Sequence, residues 1–361
     1  MKVIQIMPEF GLAGAEIMCE NLVKELNNNG VEVIVVSLYS FHSVITSRIE
    51  NSGIRIIYLD KKPGLDLTMV TKLIHVFKEE QPDVIHTHRY VMQYAIPAAI
   101  YSGVKVRIHT VHNIAKKENT KIARRLNFLF YTLCSVVPVA LSEEIKRTII
   151  EEYHLSDDKV PVILNGIDLS NCVPKKDYSI KGSPKLLHIG RFSKQKNHIG
   201  LIESFELIKH FYPESVLQLI GDGEEKIEIE KLVIEKELTS SVLFLGLQKD
   251  VFSYLFNADL FLLPSLYEGV PMTLIEAMGT GLPIVATDVG GIHDMLVDRM
   301  SASLVTLDSN EIAEACIELL RDKNLRELYG KNAYRDSSKF SVNLMAKKYI
   351  ELYSSQMKKY R

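Results

Sequence analysis

Twice along the chain, short apolar runs of strand length alternate with longer segments of helical period, and a polar break separates the two series. The first series runs through Val3-Ile4-Gln5-Ile6, Val31 to Val36, Ile54 to Leu59, Asp83 to His86 and Lys105 to Ile108. The second runs through Lys185 to Ile189, Val216 to Ile220, Val242 to Leu245, Leu260 to Leu263 and Pro283 to Ala286. Runs this apolar suit strands buried on both faces, and parallel strands joined by crossover helices bury them in that way. The break between the series, NGIDLSNCVPKKDYSIKGSP from Asn165 to Pro184, has the Asn, Gly, Pro, Lys and Ser content of a linker. The expected architecture is therefore α/β. It has two Rossmann-like, doubly wound domains over 1–168 and 184–341 with a linker at 169–183, and ligands at the carboxyl ends of the strands in a cleft. A chain of 361 residues is long enough for two such cores.

After Ser341 the segment SVNLMAKKYIELYSSQMKK carries Val342, Leu344, Met345, Tyr349, Ile350 and Tyr353 at helical spacing. No strand follows for it to pack under. The helix over 342–361 is read as crossing back onto the first domain, the alternative being a terminal helix on the second.

Composition narrows the function classes. With 47% hydrophobic and 24% charged residues and a net charge of −2, the chain reads as a soluble globular protein; neither a disordered segment nor a strongly basic nucleic-acid binder has this balance. Cys19, Cys134, Cys172 and Cys316 are scattered, with no C-x-x-C pair, so packing roles in a reducing cytoplasm are expected. The apolar run at MKVIQIMPEFG is too short for a signal peptide, and no run of about 18 apolar residues suggests a membrane span.

The chemistry-bearing residues cluster at strand ends. After the first strand, Gly11-Leu-Ala-Gly14-Ala-Glu16 precedes a helix, and a glycine at such a turn lets backbone N–H groups approach a phosphate at the helix start. The loop is not G-x-G-x-x-G and no acidic residue closes the second strand, which argues against NAD. In the second series the equivalent turn is HIGRFSKQKN, His188 to Asn197. Arg191 brings a planar fork and Lys196 a mobile point charge, a pair suited to a diphosphate. A further turn, Ile220-Gly-Asp-Gly-Glu-Glu225, has glycines at Gly221 and Gly223 that permit close backbone approach to a base or ribose, or simply make a turn.

The stretch YEGVPMTLIEAMGTGLP, Tyr267 to Pro283, holds two carboxylates. Pro271 fits the first position of a helix running to about Met278, so Glu268 falls in the preceding loop and Glu276 inside the helix. The N–H groups of Met272, Thr273 and Leu274 would then lack internal partners and form an anion site between the two glutamates. On this reading Glu268 and Glu276 are not an acid/base pair.

In this order and spacing GLAGAE, NGID (Asn165 to Asp168), GRFSKQKN, GDGEE and LPSLYEGVPMTLIEAMGTGLPIVATDVGG resemble the GT-B glycosyltransferases of family GT4, group 1, over nearly the whole chain. The resemblance implies a nucleotide-sugar donor held mainly by the second domain and transfer with retention of anomeric configuration. By position Glu276 would hydrogen-bond the donor ribose, Glu268 with Gly269 and Gly221 would lie against the donor, and Arg191, Lys196 and the helix start at Pro271 would hold the diphosphate. The family usually has a second glycine where Ala13 stands, so Gly14 is the residue of that loop assigned to the diphosphate. His112, in HTVHN, matches the histidine that family members place near the reacting carbon, while His86 and His88 are candidates to face the acceptor.

Catalysis of this kind needs positive charge at the leaving diphosphate more than a strong base. No D-x-D motif occurs, so the expectation is a transferase that works without metal or other cofactor, with catalytic contributions from His112, Glu268, Arg191 and Lys196. The implied reaction moves a hexosyl or N-acetylhexosaminyl group, UDP-linked by family frequency, to a saccharide acceptor, itself lipid-linked, in bacterial capsule or exopolysaccharide synthesis. The rivals are a nucleotide-sugar epimerase of the same architecture, a glycosidase using Glu268 and Glu276, and a non-enzymatic nucleotide-binding module. Residues 116–131, KKENTKIARRLNFLFY, combine cations with aromatic and aliphatic residues and read as a peripheral contact with the inner face of a membrane, the alternative being a crossover helix with a solvated basic face.

Overall fold

In the computed structural model all residues except Leu12, Asn119 and Arg361 are described; Leu12 of the GLAGAE loop and Asn119 of the basic segment thus lie outside the described residues. The chain forms two compact units, Met1–Ile167 with Phe340–Arg361, and Asp168–Lys339.

The first unit is built on six parallel strands: β1 (Lys2–Met7), β2 (Glu32–Ser37), β3 (Arg55–Tyr58), β4 (Val84–His88), β5 (Val106–Val111) and β6 (Val136–Ala140). They lie in the order β3-β2-β1-β4-β5-β6. The second unit repeats the plan with β7 (Lys185–Ile189), β8 (Val216–Ile220), β9 (Val242–Gly246), β10 (Leu260–Leu263), β11 (Ile284–Thr287) and β12 (Ser303–Val305), ordered β12-β11-β10-β7-β8-β9. Each sheet thus places its first and fourth strands side by side at the centre, where the strand order reverses and a doubly wound fold opens its ligand crevice. Two edge strands escaped the reading of the apolar runs. β6 carries Pro138, tolerable because a proline costs no ladder bond at a sheet edge, and β12 is only three residues long.

The helix Gly14–Asn28 buries Met18, Cys19, Leu22, Val23 and Leu26, one face at helical spacing, against the first sheet. The helix Val342–Lys358 starts where Ser341 Oγ accepts from Leu344 N at 3.2 Å, and it buries Met345, Ala346, Tyr349 and Tyr353 in the first unit. Its entry is stitched by Ile167 N to Phe340 O and Val342 N to Ile167 O, both 2.9 Å. The C-terminal helix therefore does cross back onto the first unit.

The polar break does not behave as a linker. Tyr178 is buried and donates to Gly281 O at 3.0 Å, Lys175 N donates to Thr280 O at 2.9 Å, and Arg326 grips Tyr178 O through two nitrogens at 3.0 and 2.8 Å. Its Gly, Pro and Lys content marks an irregular path, but backbone donors and acceptors find partners along that path, and the segment from Asp168 belongs to the second unit. Among the described residues all four cysteines are free and three are buried. Among the described residues no helix is long and apolar enough to cross a membrane.

Candidate active site

In the second unit the loops after β7 and β10 are tied together. Strand β7 ends at Gly190, and Lys194–Lys196 make a short 3-10 turn. Asn197, in the left-handed region at φ 52°, then caps the helix His198–Phe211 by accepting from Gly200 N at 3.3 Å. The loop after β10 docks onto that turn: Leu266 N donates to Gln195 O at 2.8 Å and Gln195 Nε2 donates to Tyr267 O at 3.0 Å.

Glu268 sits where these loops meet, almost wholly buried. Its Oε1 accepts from Lys196 Nζ and from Ser265 Oγ, both at 2.6 Å, and its Oε2 from Gln195 Nε2 at 3.2 Å. The basic turn suggested a diphosphate for Lys196 and the family resemblance placed Glu268 against the donor, whereas here the two form one ion pair. An ammonium has three N–H donors and Glu268 engages one of them, so the pairing orients Lys196 without exhausting it. Behind Glu268, Gly290 holds φ +57°, and a Cβ there would lie 2.0 Å from the Glu268 carbonyl oxygen. That contact explains a glycine in the DVGG run that spacing had left without a role.

Arg191 is exposed and pairs with Glu224 at 3.1 Å. Gly221 follows β8 at φ +143°, and a Cβ on it would meet Gly190 O at 1.9 Å. The close approach this glycine permits is thus to the Gly190–Arg191 backbone, which it seats.

The helix over Met272–Gly279 begins one residue later than expected. Pro271 is its extended N-cap, with φ −69° and ψ 122°, and Leu274 N already bonds Pro271 O at 3.1 Å. Leu274 is therefore removed from the free donors; Met272 and Thr273 keep N–H groups with no acceptor among the described residues. One turn further on, Glu276 is buried and no described side chain hydrogen-bonds its carboxyl group. Burial pushes its pKa up to about 7.

In the first unit Gly14 is the exposed first residue of its helix, behind Ala13 as an extended N-cap without a side-chain bond. Glu16 in that first turn is buried and accepts from Arg89 at 2.9 Å. Burial raises the Glu16 pKa, and Arg89 opposes the rise. His112 follows β5. Its backbone N donates to Glu118 Oε1 at 3.0 Å, and burial pushes the Glu118 carboxyl up to about 7. His86 and His88, expected to face an acceptor, are both 0% exposed and belong instead to a buried polar network with Gln5, Thr110, Tyr349 and Tyr353. One signal was legible for that network: Gln5 interrupts the apolar run Val3 to Met7 of a central strand, and a polar group there must find partners. Among the described residues no group of three or more His, Cys, Asp or Glu side chains is placed to hold a metal ion.

Two parallel six-stranded sheets with crossover helices make two Rossmann-like units, the plan of the GT-B architecture. Comparison with known proteins supplies the family. Residues 174–336 match the model for glycosyl transferases group 1 and residues 12–171 that for glycosyltransferase family 4, and the chain belongs to these GT4-type glycosyltransferases. It is 29% identical over 278 residues to the UDP-Gal:alpha-D-GlcNAc-diphosphoundecaprenol alpha-1,3-galactosyltransferase of Escherichia coli, covering 72% of each chain. It is also 29% identical over 287 residues to the N-acetyl-alpha-D-glucosaminyl L-malate synthase of Bacillus anthracis, covering 75% of this chain and 74% of that one. The crystal structure of Anabaena HepE in complex with UDP and glucose superposes with a TM-score of 0.87 at 20% identity, covering 98% of this chain and 100% of that one.

Proposed function

We propose that this glycosyltransferase moves a hexosyl or N-acetylhexosaminyl group from a UDP-sugar to a lipid-linked saccharide with retention of configuration, in the assembly of a bacterial surface polysaccharide. The observation that carries the donor reading is the helix Met272–Gly279. Within about one turn it offers two free N–H groups and a buried carboxyl with no hydrogen-bond partner among the described residues. Free N–H groups at a helix start suit a phosphate, and a partnerless buried carboxylate suits the adjacent hydroxyls of a ribose. UDP in the HepE complex and the UDP-Gal donor in the name of the E. coli relative support the choice of base.

In this reading Lys196, Arg191 and the N–H groups of Met272 and Thr273 take up the charge that grows on the diphosphate as the anomeric C–O bond breaks. The acceptor hydroxyl attacks the anomeric carbon from the face the diphosphate leaves, and a phosphate oxygen receives its proton. Glu268, held by Lys196, Ser265 and Gln195, meets hydroxyls of the transferred sugar, and His112 is assigned to a sugar hydroxyl. Stabilisation by these fixed donors requires no metal, so turnover is expected to persist in a chelator. The test is a panel of nucleotide sugars with an undecaprenyl-diphosphate-linked acceptor, scored for nucleoside diphosphate release and for the anomeric configuration of the product by NMR. Release of free sugar from a simple glycoside, or epimerised nucleotide sugar without acceptor, would overturn the reading in favour of a glycosidase or an epimerase.

A peripheral membrane contact is supported by the helix Lys121–Leu133. It exposes Ile122, Leu126, Leu129 and Leu133 as a stripe at helical spacing, with Lys121 and Arg125 exposed on the same helix. The contributing residues differ from those expected: Arg124 pairs with Glu152 at 3.0 Å and Tyr131 is buried. Arg125→Glu with Leu129→Glu should therefore abolish co-sedimentation with anionic vesicles, and undiminished co-sedimentation would sink the membrane contact.

A further inference from the structure

Beneath His112 lies a continuous chain of six hydrogen bonds through the first unit. His112 Nε2 lies 3.0 Å from His88 Nδ1, and His88 Nε2 lies 2.9 Å from Gln5 Oε1. Gln5 Nε2 lies 3.1 Å from Tyr353 OH, which lies 2.7 Å from His86 Nδ1. His86 Nε2 lies 2.7 Å from Thr110 Oγ1, which lies 2.8 Å from Tyr349 OH. The chain begins at a half-buried histidine after β5 and ends on the C-terminal helix.

The chain has a direction, set by one amide. An amide nitrogen only donates and an amide oxygen only accepts, whereas a hydroxyl or a neutral imidazole does both. Gln5 Oε1 therefore accepts from His88 Nε2–H, which leaves His88 Nδ1 unprotonated and able only to accept. That nitrogen must be met by His112 Nε2–H. On the other side Gln5 Nε2–H fills one lone pair of the Tyr353 hydroxyl, which keeps a proton and a second lone pair for its contact with His86 Nδ1, and His86 Nε2 continues to Thr110. Burial keeps the chain neutral: the His88 pKa is pushed down to about 3, and those of His86 and His112 fall well below the usual value. A neutral imidazole carries one proton, and the bond made by one ring nitrogen decides the state of the other.

We propose that Gln5 and Tyr353 are positioning residues that fix His112 as its Nε2–H tautomer, through His88, so that Nδ1 is the ring nitrogen left to accept a hydrogen bond. The Glu118 contact to the His112 backbone, at 3.0 Å, holds the residue from its other side. No described residue bonds His112 Nδ1. On the glycosyl-transfer reading, on which this consequence rests, a sugar hydroxyl is the donor that Nδ1 receives, and an Nδ1–H tautomer would present a proton to it instead. The C-terminal helix would then be part of the catalytic apparatus, two hydrogen-bonded partners removed from the histidine it directs.

Histidine labelled with nitrogen-15 and a long-range proton–nitrogen correlation on the unliganded full chain read the tautomer of each ring, with His112→Gln identifying the His112 signals. The expected result is protonated Nε2 and unprotonated Nδ1 at His112 in the wild-type protein. In Tyr353→Phe and in Gln5→Met that distinction should be lost, the two nitrogen shifts moving toward a common average. A His112 ring protonated at Nδ1 in the wild-type protein, or one pure tautomer retained in both variants, overturns the assignment. The wild-type measurement stands even if a variant fails to fold. No sugar nucleotide enters the experiment, so its failure is distinct from failure of the transfer assay.

Discussion

The two units share one strand order, yet the carboxyl ends of their central strands are finished in opposite ways. In the first unit Gln5 of β1, His86 and His88 of β4 and Thr110 of β5 bond one another and two tyrosines of the C-terminal helix, all of them buried. In the second unit the helix that follows β10 leaves two N–H groups and the Glu276 carboxyl without partners among the described residues. A buried polar group without a partner costs about 1–3 kcal/mol. The network of Gln5, His86, His88 and Thr110 removes that cost internally, while His109 Nε2 on the same strand as Thr110 stays buried without a partner among the described residues; the helix start after β10 leaves its groups open to a ligand. One topology thus supports a self-satisfied network in one unit and a helix start with open donors in the other.

The comparison breaks most visibly at Lys196. Lys196→Gln keeps a donor toward Glu268 while removing the charge, and kcat/KM for transfer should fall by about 10²–10³-fold, the usual effect of losing one fixed donor at a developing anion. Thermal unfolding by calorimetry should move little, because Glu268 retains Ser265 and Gln195. Less than a tenfold loss of transfer would mean that the ion pair is structural and that the second unit does not spend its cations on the ligand.

Glu276 provides the next largest effect. The folded carboxyl keeps its proton up to about pH 7, against an ordinary value of 4.5. The group's favourable contribution is therefore fully present below about pH 4.5 and is lost as pH rises through about 7, the unfolded chain having released its proton first. Glu276→Gln abolishes that dependence, so relative to wild type the variant should gain on the order of 3 kcal/mol between about pH 4 and pH 8. Urea unfolding at the two pH values measures it. Saturating UDP should shrink the difference, since ribose hydroxyls that donate to the carboxylate stabilise its charged form. A difference between wild type and Glu276→Gln that is the same at both pH values would show that Glu276 is already satisfied.

A smaller effect, in stability, is expected at Gly290. Gly290→Ala forces a side chain into the left-handed region and against Glu268 O, with an expected loss of about 1–3 kcal/mol and a matching fall in donor binding. Loss of stability without loss of UDP affinity, measured by calorimetry, would detach this glycine from the site.

How far these features were legible differs between the units for a physical reason. The strands at Lys185–Ile189, Val216–Ile220 and Leu260–Leu263 could be read from apolar runs alone, because burial on both faces leaves no other pattern. The loop position of Glu268 and the helical position of Glu276 followed from proline and glycine punctuation. The bond between Lys196 and Glu268, 72 residues apart, did not. Local rules describe which groups a turn exposes, and they are silent on which distant turn docks beside it. The helix start misled by one residue because proline is acceptable both as N-cap and as first helical residue, and only the ψ of 122° at Pro271 distinguishes the two. The network of Gln5, His86 and His88 was hidden for a different reason: its closing partners, Tyr349 and Tyr353, come from the far end of the chain, where helical spacing marks them as packing residues.

That last point separates two contributions of the C-terminal helix, and its cap measures the smaller. Ser341 Oγ accepts from Leu344 N at 3.2 Å, so Ser341→Ala removes a bond that any helix start would value, with an expected cost of about 1 kcal/mol. The helix is anchored independently by the Ile167 contacts and by buried Met345, Tyr349 and Tyr353, so the hydrogen-bond chain should stay intact. Ser341→Ala should lower the urea midpoint slightly and leave the His112 tautomer and the transfer rate unchanged. Were the cap variant to alter the tautomer as Tyr353→Phe is expected to, the network would be responding to the helix as a whole. The first unit's polar ends would then be satisfied only as firmly as its last helix is seated.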